Sequence, residues 1–219
     1  MEPLLIATTN DAKLREIREI LRGVDRCILS LSDFPPVPEP DETESSFSAN
    51  ALLKARAYAK ATGLVTVAED SGLVIDAIGG APGVHSARYP GATYPEKFAN
   101  LYATLAKHPR PWTCRYVCAV AVVGTDSLSA EARRAKAETG GNEMGRVQFE
   151  TLATVEGEIW PHASGTNGFG YDPIFFYPPY GLTFGEVSDT QKLAVAHRGQ
   201  AFLDLRRWLD RGEYPAALR

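Results

Sequence analysis

Apolar residues recur along the chain in short blocks separated by polar turns, and the spacing inside each block predicts its element. Leu4 to Ala7 is an apolar run of strand length. The polar turn Thr8-Thr9-Asn10-Asp11 then opens a helix over about Ala12 to Leu21, with Leu14, Ile17 and Leu21 at helical spacing and Asn10 or Asp11 able to cap it. Arg26 to Leu31 reads as a second strand, and the acidic, proline-rich stretch Phe34 to Glu44 excludes regular structure. It leads into a long helix from about Ser46 to Thr62, closed by Gly63 as C-cap. The run Leu64, Val65, Val67, Ala68 halts at Glu69-Asp70-Ser71-Gly72, which predicts a buried strand ending in two exposed carboxylates, with Leu73 to Ala77 as a separate short strand. Gly79 to Gly83 is turn-rich, and Val84 to Gly91 is too polar and too punctuated to be core. Tyr94 to His108 is an amphipathic helix stopped before Pro109, Thr113 to Val123 a central strand, and Gln148 to Ile159 its alternating hairpin partner. A last helix is expected over Gly199 to Leu209.

Length and composition narrow this picture. At 219 residues the chain fits one large domain or two small ones, and 44% apolar content is ordinary for a packed core. No internal repeat or low-complexity linker divides it, so a second lobe would grow out of the same sheet. Residues 125–146 read as a variable surface insertion or hairpin tip. A net charge of −4 and a pI near 5.6 argue against binding a nucleic-acid backbone and leave room for a small anionic ligand met by a local cluster of cations. Cys27, Cys114 and Cys118 form no CxxC or zinc-type spacing and read as thiols in a reducing compartment, the last two as small core hydrophobes. The start lacks the pattern of a signal peptide and no run is long enough to span a membrane, so the expected location is cytoplasmic.

Five stretches carry candidate chemistry. The turn before the first helix is an anion site by construction, because free N–H groups and the positive end of the helix dipole converge there. Lys13, unfavourable at that end of the dipole, would be justified by a phosphate. Phe47, Asn50 and Lys54 share one helix face, so an amide and an ammonium project together; a snorkelling lysine is the plainer alternative. Glu69 and Asp70 would suit Mg²⁺ arriving with substrate phosphates, particularly if acids of the preceding loop face them. In Ser164 to Phe176, glycines around Phe169 and Tyr171 let rings project from a backbone close to a ligand such as a purine, and Asp172, in an extended unit before Pro173, is suited to hydrogen bonding. Core packing of these rings is the alternative. Lys192, His197 and Arg198 precede the last helix, where a guanidinium reads a carbonyl or phosphate.

Taken together, Thr8-Thr9-Asn10-Asp11-Ala12-Lys13, Phe47 to Arg56, Glu69-Asp70-Ser71-Gly72-Leu73, Gly79-Gly80-Ala81-Pro82-Gly83, Gly168 to Pro173 and His197-Arg198-Gly199 resemble the inosine triphosphate pyrophosphatase family, in order and over nearly the whole chain. The resemblance implies an α/β fold with an elongated, twisted mixed sheet flanked by helices, a single domain of two lobes enclosing a nucleotide cleft, and a homodimer. It implies Mg²⁺-dependent hydrolysis of ITP, dITP and XTP to the monophosphate and pyrophosphate, with no nucleic-acid or membrane partner. By the same resemblance, Thr8, Asn10, Lys13 and Lys54 bind the triphosphate, and Glu42 and Asp70 hold the metal; Asn50 is expected among the substrate-binding residues. Asp70 is the expected proton acceptor with Glu69 in reserve. Ser71, Phe169, Gly170, Tyr171 and Asp172 contact the nucleotide, and Lys192, His197 and Arg198 read the 6-oxo edge of the base. Glu69, Asn167 and Ala196 depart from the family's usual Asp, Gly and Ser. A related pyrophosphatase of different base preference and a nucleotide sensor without turnover stay open as other readings.

Overall fold

The computed structural model describes residues 2–124 and 145–211, and all structural statements concern those residues. Seven strands form one open sheet in the order β2-β1-β3-β4-β5-β6-β7. They are β1 (Glu2–Ile6), β2 (Arg26–Ser30), β3 (Thr66–Ile75), β4 (Thr113–Gly124), β5 (Arg146–Ile159), β6 (Phe175–Tyr177) and β7 (Leu182–Thr183). β1 runs parallel to β2 and β3, while β5, β6 and β7 pair antiparallel, so the sheet is mixed. The helices are α1 (Asp11–Ile20), α2 (Phe47–Thr62), α3 (Tyr94–Leu105), α4 (Asp189–Val195) and α5 (His197–Arg211). None is long and apolar enough to cross a membrane.

Local chemistry explains where the helices begin. The Asn10 side chain accepts from the amides of Ala12 and Lys13 and caps α1, Ser46 caps α2 through Ala49, and Gly63 ends α2 in the left-handed conformation. The capping box of Ser188 and Gln191 starts α4.

The chain divides into two compact units. The first takes Met1–Glu69, Ala119–Thr151 and Leu203–Arg219, and its small-residue core packs Ala51, Ala55, Tyr58 and Ala59 of α2 against Leu5, Ala68, Ala119 and Ala121 of the strands. The second takes Asp70–Cys118 and Leu152–Phe202, with an aromatic core of Phe98, Trp112, Tyr116, Tyr171, Phe175 and Phe184. Burying each of these large side chains contributes on the order of 2 kcal/mol. Cys114 and Cys118 are fully buried, as expected of small hydrophobes, and Cys27 is exposed.

Several sequence expectations are corrected. The run of residues 64–77 does not break at its acids into two strands: β3 is continuous for ten residues, and Glu69 and Asp70 lie buried within it at 3% and 4% exposure. A carboxylate can stay in the ladder when a cation meets it, and Lys13 meets Glu69. Asp172 is not in an extended unit, since it begins the 3₁₀ turn Asp172–Ile174. Lys192 lies inside α4, and His197 and Arg198 form the first turn of α5 instead of preceding it. α3 ends at Leu105, three residues early. Of the 125–146 insertion or hairpin tip, residues 125–144 lie outside the described residues, and Arg146 already belongs to β5.

Candidate active site

In the first unit, the β1–α1 turn, the start of α2 and Glu69 of β3 supply the polar groups. Thr8 Oγ1 accepts from the Asn10 amide at 3.2 Å, and Asn10 is spent on capping α1, so both side chains shape the turn while Thr9 and Asn10 remain at the surface. Lys13, one turn into α1, places Nζ 2.6 Å from Glu69 Oε1, whose side chain is 2% exposed. Lys54, at 7% exposure, is no snorkelling lysine: its Nζ donates to Glu42 Oε1 at 2.8 Å. Asn50, fully buried one turn before Lys54, accepts from the Glu44 amide at 3.1 Å and donates to the Glu44 carbonyl at 3.4 Å. The amide therefore fixes the end of the acidic loop that carries Glu42. Two lysines, each paired with a carboxylate, are what a highly charged ligand can engage without the protein burying an unpaired ion in its absence.

In the second unit, Asp70 and Ser71 continue β3, and the Gly165–Asp172 loop faces α4 and α5 through side-chain contacts. Asp172, 2% exposed, is its hub: Oδ2 accepts from the Phe169 amide at 2.8 Å and from Lys192 Nζ at 2.7 Å, and Oδ1 accepts from the Tyr116 hydroxyl at 3.2 Å. Above the Phe169 ring stand two cations, Lys192 Nζ at 4.6 Å and the Arg198 guanidinium carbon at 5.4 Å. Arg198 also donates to Ser71 Oγ at 3.0 Å, tying α5 to the strand beside Asp70. His197 is buried with its ring stacked on Tyr116 at 4.6 Å between centroids. Gly168 and Gly170 have positive φ, as the close turn around Phe169 requires.

The two aromatics of the loop divide. Phe169 stays partly exposed, whereas Tyr171 turns into the core, donates its hydroxyl to the Ser86 carbonyl at 2.9 Å and meets Tyr94 edge to face. The part of Tyr171 left for a ligand is its backbone. Burial first, with the tyrosines 89 and 94 nearby, holds the Tyr171 hydroxyl protonated well beyond its ordinary range. Tyr116 was missed in the sequence because it lies inside an apolar run, and only the partners its hydroxyl and ring meet reveal it.

The fold and these side chains define a mixed α/β protein with one lysine–carboxylate pair at a strand–turn–helix, a second between α2 and the loop before it and, in its other unit, a ring flanked by cations. The chain belongs to the Ham1 family, whose model matches residues 4–208. It is 35% identical over 210 residues to the dITP/XTP pyrophosphatase of Listeria monocytogenes, covering 94% of each chain. It is 38% identical over 209 residues to the dITP/XTP pyrophosphatase of Geobacter sulfurreducens, covering 94% of this chain and 96% of that one. A solved HAM1 protein from Coxiella burnetii superposes with a TM-score of 0.82 at 34% identity, covering 96% of this chain and all of the other.

Proposed function

We propose that this protein is a dITP/XTP pyrophosphatase, a hydrolase that converts ITP, dITP and XTP to the monophosphate and pyrophosphate and so clears deaminated purines from the nucleotide pool. The observation that carries the reading is that Lys13 and Lys54 are each held against a carboxylate, at 2.6 and 2.8 Å, in a chain that matches such pyrophosphatases over nearly its whole length. On this reading the enzyme works in the cytoplasm as a homodimer, with no nucleic-acid or membrane partner.

Its own residues then take these roles. Lys13 and Lys54 bind the phosphates, the positive end of the α1 dipole adding to them, while Thr8 and Asn10 hold the turn in shape. Asn50 keeps the Glu42 segment in place. Water attacks the α-phosphorus, Asp70 orients it and takes its proton, the bond to the bridging oxygen breaks, and pyrophosphate leaves. Glu69 is the reserve base, although its contact with Lys13 favours a role in holding that lysine. Ser71 and the Phe169–Asp172 turn, with the Gly170 and Tyr171 backbone, line the nucleoside. Lys192, His197 and Arg198 supply donors to a 6-oxo group. Adenine, with a 6-amino group there, would leave buried donors unpaired at a cost of about 1–3 kcal/mol each.

Glu42 and Asp70 offer hard carboxylate oxygens that fit Mg²⁺. That ion needs only one or two carboxylates and takes its remaining positions from water and phosphate. When bound, the ion would neutralise charge developing on the leaving pyrophosphate.

Pyrophosphate release measured for dITP, XTP, GTP, ATP and dTTP tests the assignment. Turnover of dITP and XTP well above the rest, lost in EDTA and lost in Asp70→Asn, is the expected pattern. Preference for a pyrimidine, or near-normal turnover by Asp70→Asn, would refute it.

A further inference from the structure

Tyr116 of β4 meets two groups assigned above to the nucleotide, Asp172 and His197, yet the reaction as described gives it no part. Its hydroxyl donates to Asp172 Oδ1 at 3.2 Å. Its ring stacks on Phe175 at 4.4 Å and on His197 at 4.6 Å, with interplanar angles of 24° and 17°. The residue is 6% exposed, so it is built into the core and contacts the site from behind.

We propose that Tyr116 is a positioning residue for base selection, its hydroxyl sharing the Asp172 carboxylate with Lys192 and its ring carrying His197. This rests on the reading that Lys192, His197 and Arg198 meet the base. Asp172 accepts from the Phe169 amide, the Lys192 ammonium and the Tyr116 hydroxyl, and the last is the only neutral side chain of the three donors. Where a hydroxyl satisfies part of a buried carboxylate, the ammonium on the other oxygen is held less tightly and keeps donors for a ligand. Remove the hydroxyl, and Lys192 must satisfy more of Asp172. The Phe169 turn, fixed by the same carboxylate, shifts with it. The hydroxyl is a dependable donor, because burial and the Asp172 charge keep it protonated well beyond the ordinary tyrosine range.

Tyr116→Phe keeps both ring stacks and removes only the hydroxyl. The expected result is a rise in KM for dITP of about tenfold, the size of one hydrogen bond to a charged group, with kcat within about twofold of the parent. Preference for dITP over ATP should fall by a similar factor. Two controls separate this from the functional reading. First, if the parent protein hydrolyses neither dITP nor XTP, the assignment of function fails, independent of Tyr116. Second, a double-mutant cycle of Tyr116→Phe with Asp172→Asn, read by urea unfolding without nucleotide, probes the contact alone. Non-additive stability changes there support the inference. Additive changes, or a Tyr116→Phe protein that loses kcat and keeps its KM and base preference, would overturn it.

Discussion

Lys13 of α1 and Glu69 of β3 form an ion pair of 2.6 Å in which the acid is almost wholly buried and the lysine one-fifth exposed. The pair accounts for two oddities at once: a lysine at the wrong end of a helix dipole and a carboxylate in the middle of a buried strand. Lys13→Ala leaves that carboxylate without its cation and should cost about 3 kcal/mol of stability in urea unfolding. In the same variant kcat/KM for dITP should fall about a hundredfold, as for loss of one group that stabilises transition-state charge. Adding Glu69→Gln removes the stranded charge, so the double variant should regain about half of the stability and none of the activity. Recovery of both would show that Lys13 serves the fold alone.

The Phe169 turn gives a second prediction through two glycines of similar backbone. Gly168 has φ +69 and Gly181 φ +63, but a Cβ at Gly168 would overlap Asp172 Oδ2, while none of the structure lies within 4 Å of one at Gly181. Gly181→Ala should therefore cost only the left-handed strain, about 1–2 kcal/mol. Gly168→Ala adds displacement of a buried carboxylate and should cost about 3 kcal/mol or more and raise KM. Thermal unfolding and dITP kinetics on the two variants check this. Equal losses would mean that Asp172 does not constrain the turn.

Buried tyrosines set the alkaline limit of stability. Burial, with the Asp172 charge next, raises Tyr116 well above the ordinary value, and burial raises Tyr102 to about 12 against the opposing effect of Arg110. In the unfolded chain these hydroxyls ionise near pH 10, so above about that pH the unfolded state binds fewer protons than the folded one and stability falls as pH rises. Below it their contribution is fully present. The urea midpoint should thus drop from about pH 10 upward, and less steeply in Tyr116→Phe. A midpoint that stays flat across that range would contradict the burial of these groups.

The local chemistry of the elements was legible in the sequence, because their signals are short-range. Asn10 and Ser46 cap helices and Gly63 ends one within a turn of where they stand in the chain. The apolar run of β4 likewise identified itself without help from the rest of the fold. What could not be read were pairings across long separations. Glu69 and Asp70 look like a strand exit until Lys13 is brought to Glu69, and Asp172 reads as an extended residue suited to hydrogen bonding, with nothing to name its partners until Tyr116 and Lys192 converge on it from 56 and 20 residues away. Tyr171 and Phe169, alike in sequence context, diverge because Ser86 accepts the hydroxyl that only one of them has.

The central claim concerns which bond of the triphosphate breaks, and phosphorus NMR of dITP consumed by the protein with Mg²⁺ reads that directly. Equal amounts of dIMP and pyrophosphate, with dITP unchanged when EDTA is present, are the predicted result. Release of dIDP and orthophosphate would place the attack at the wrong phosphorus and contradict the account.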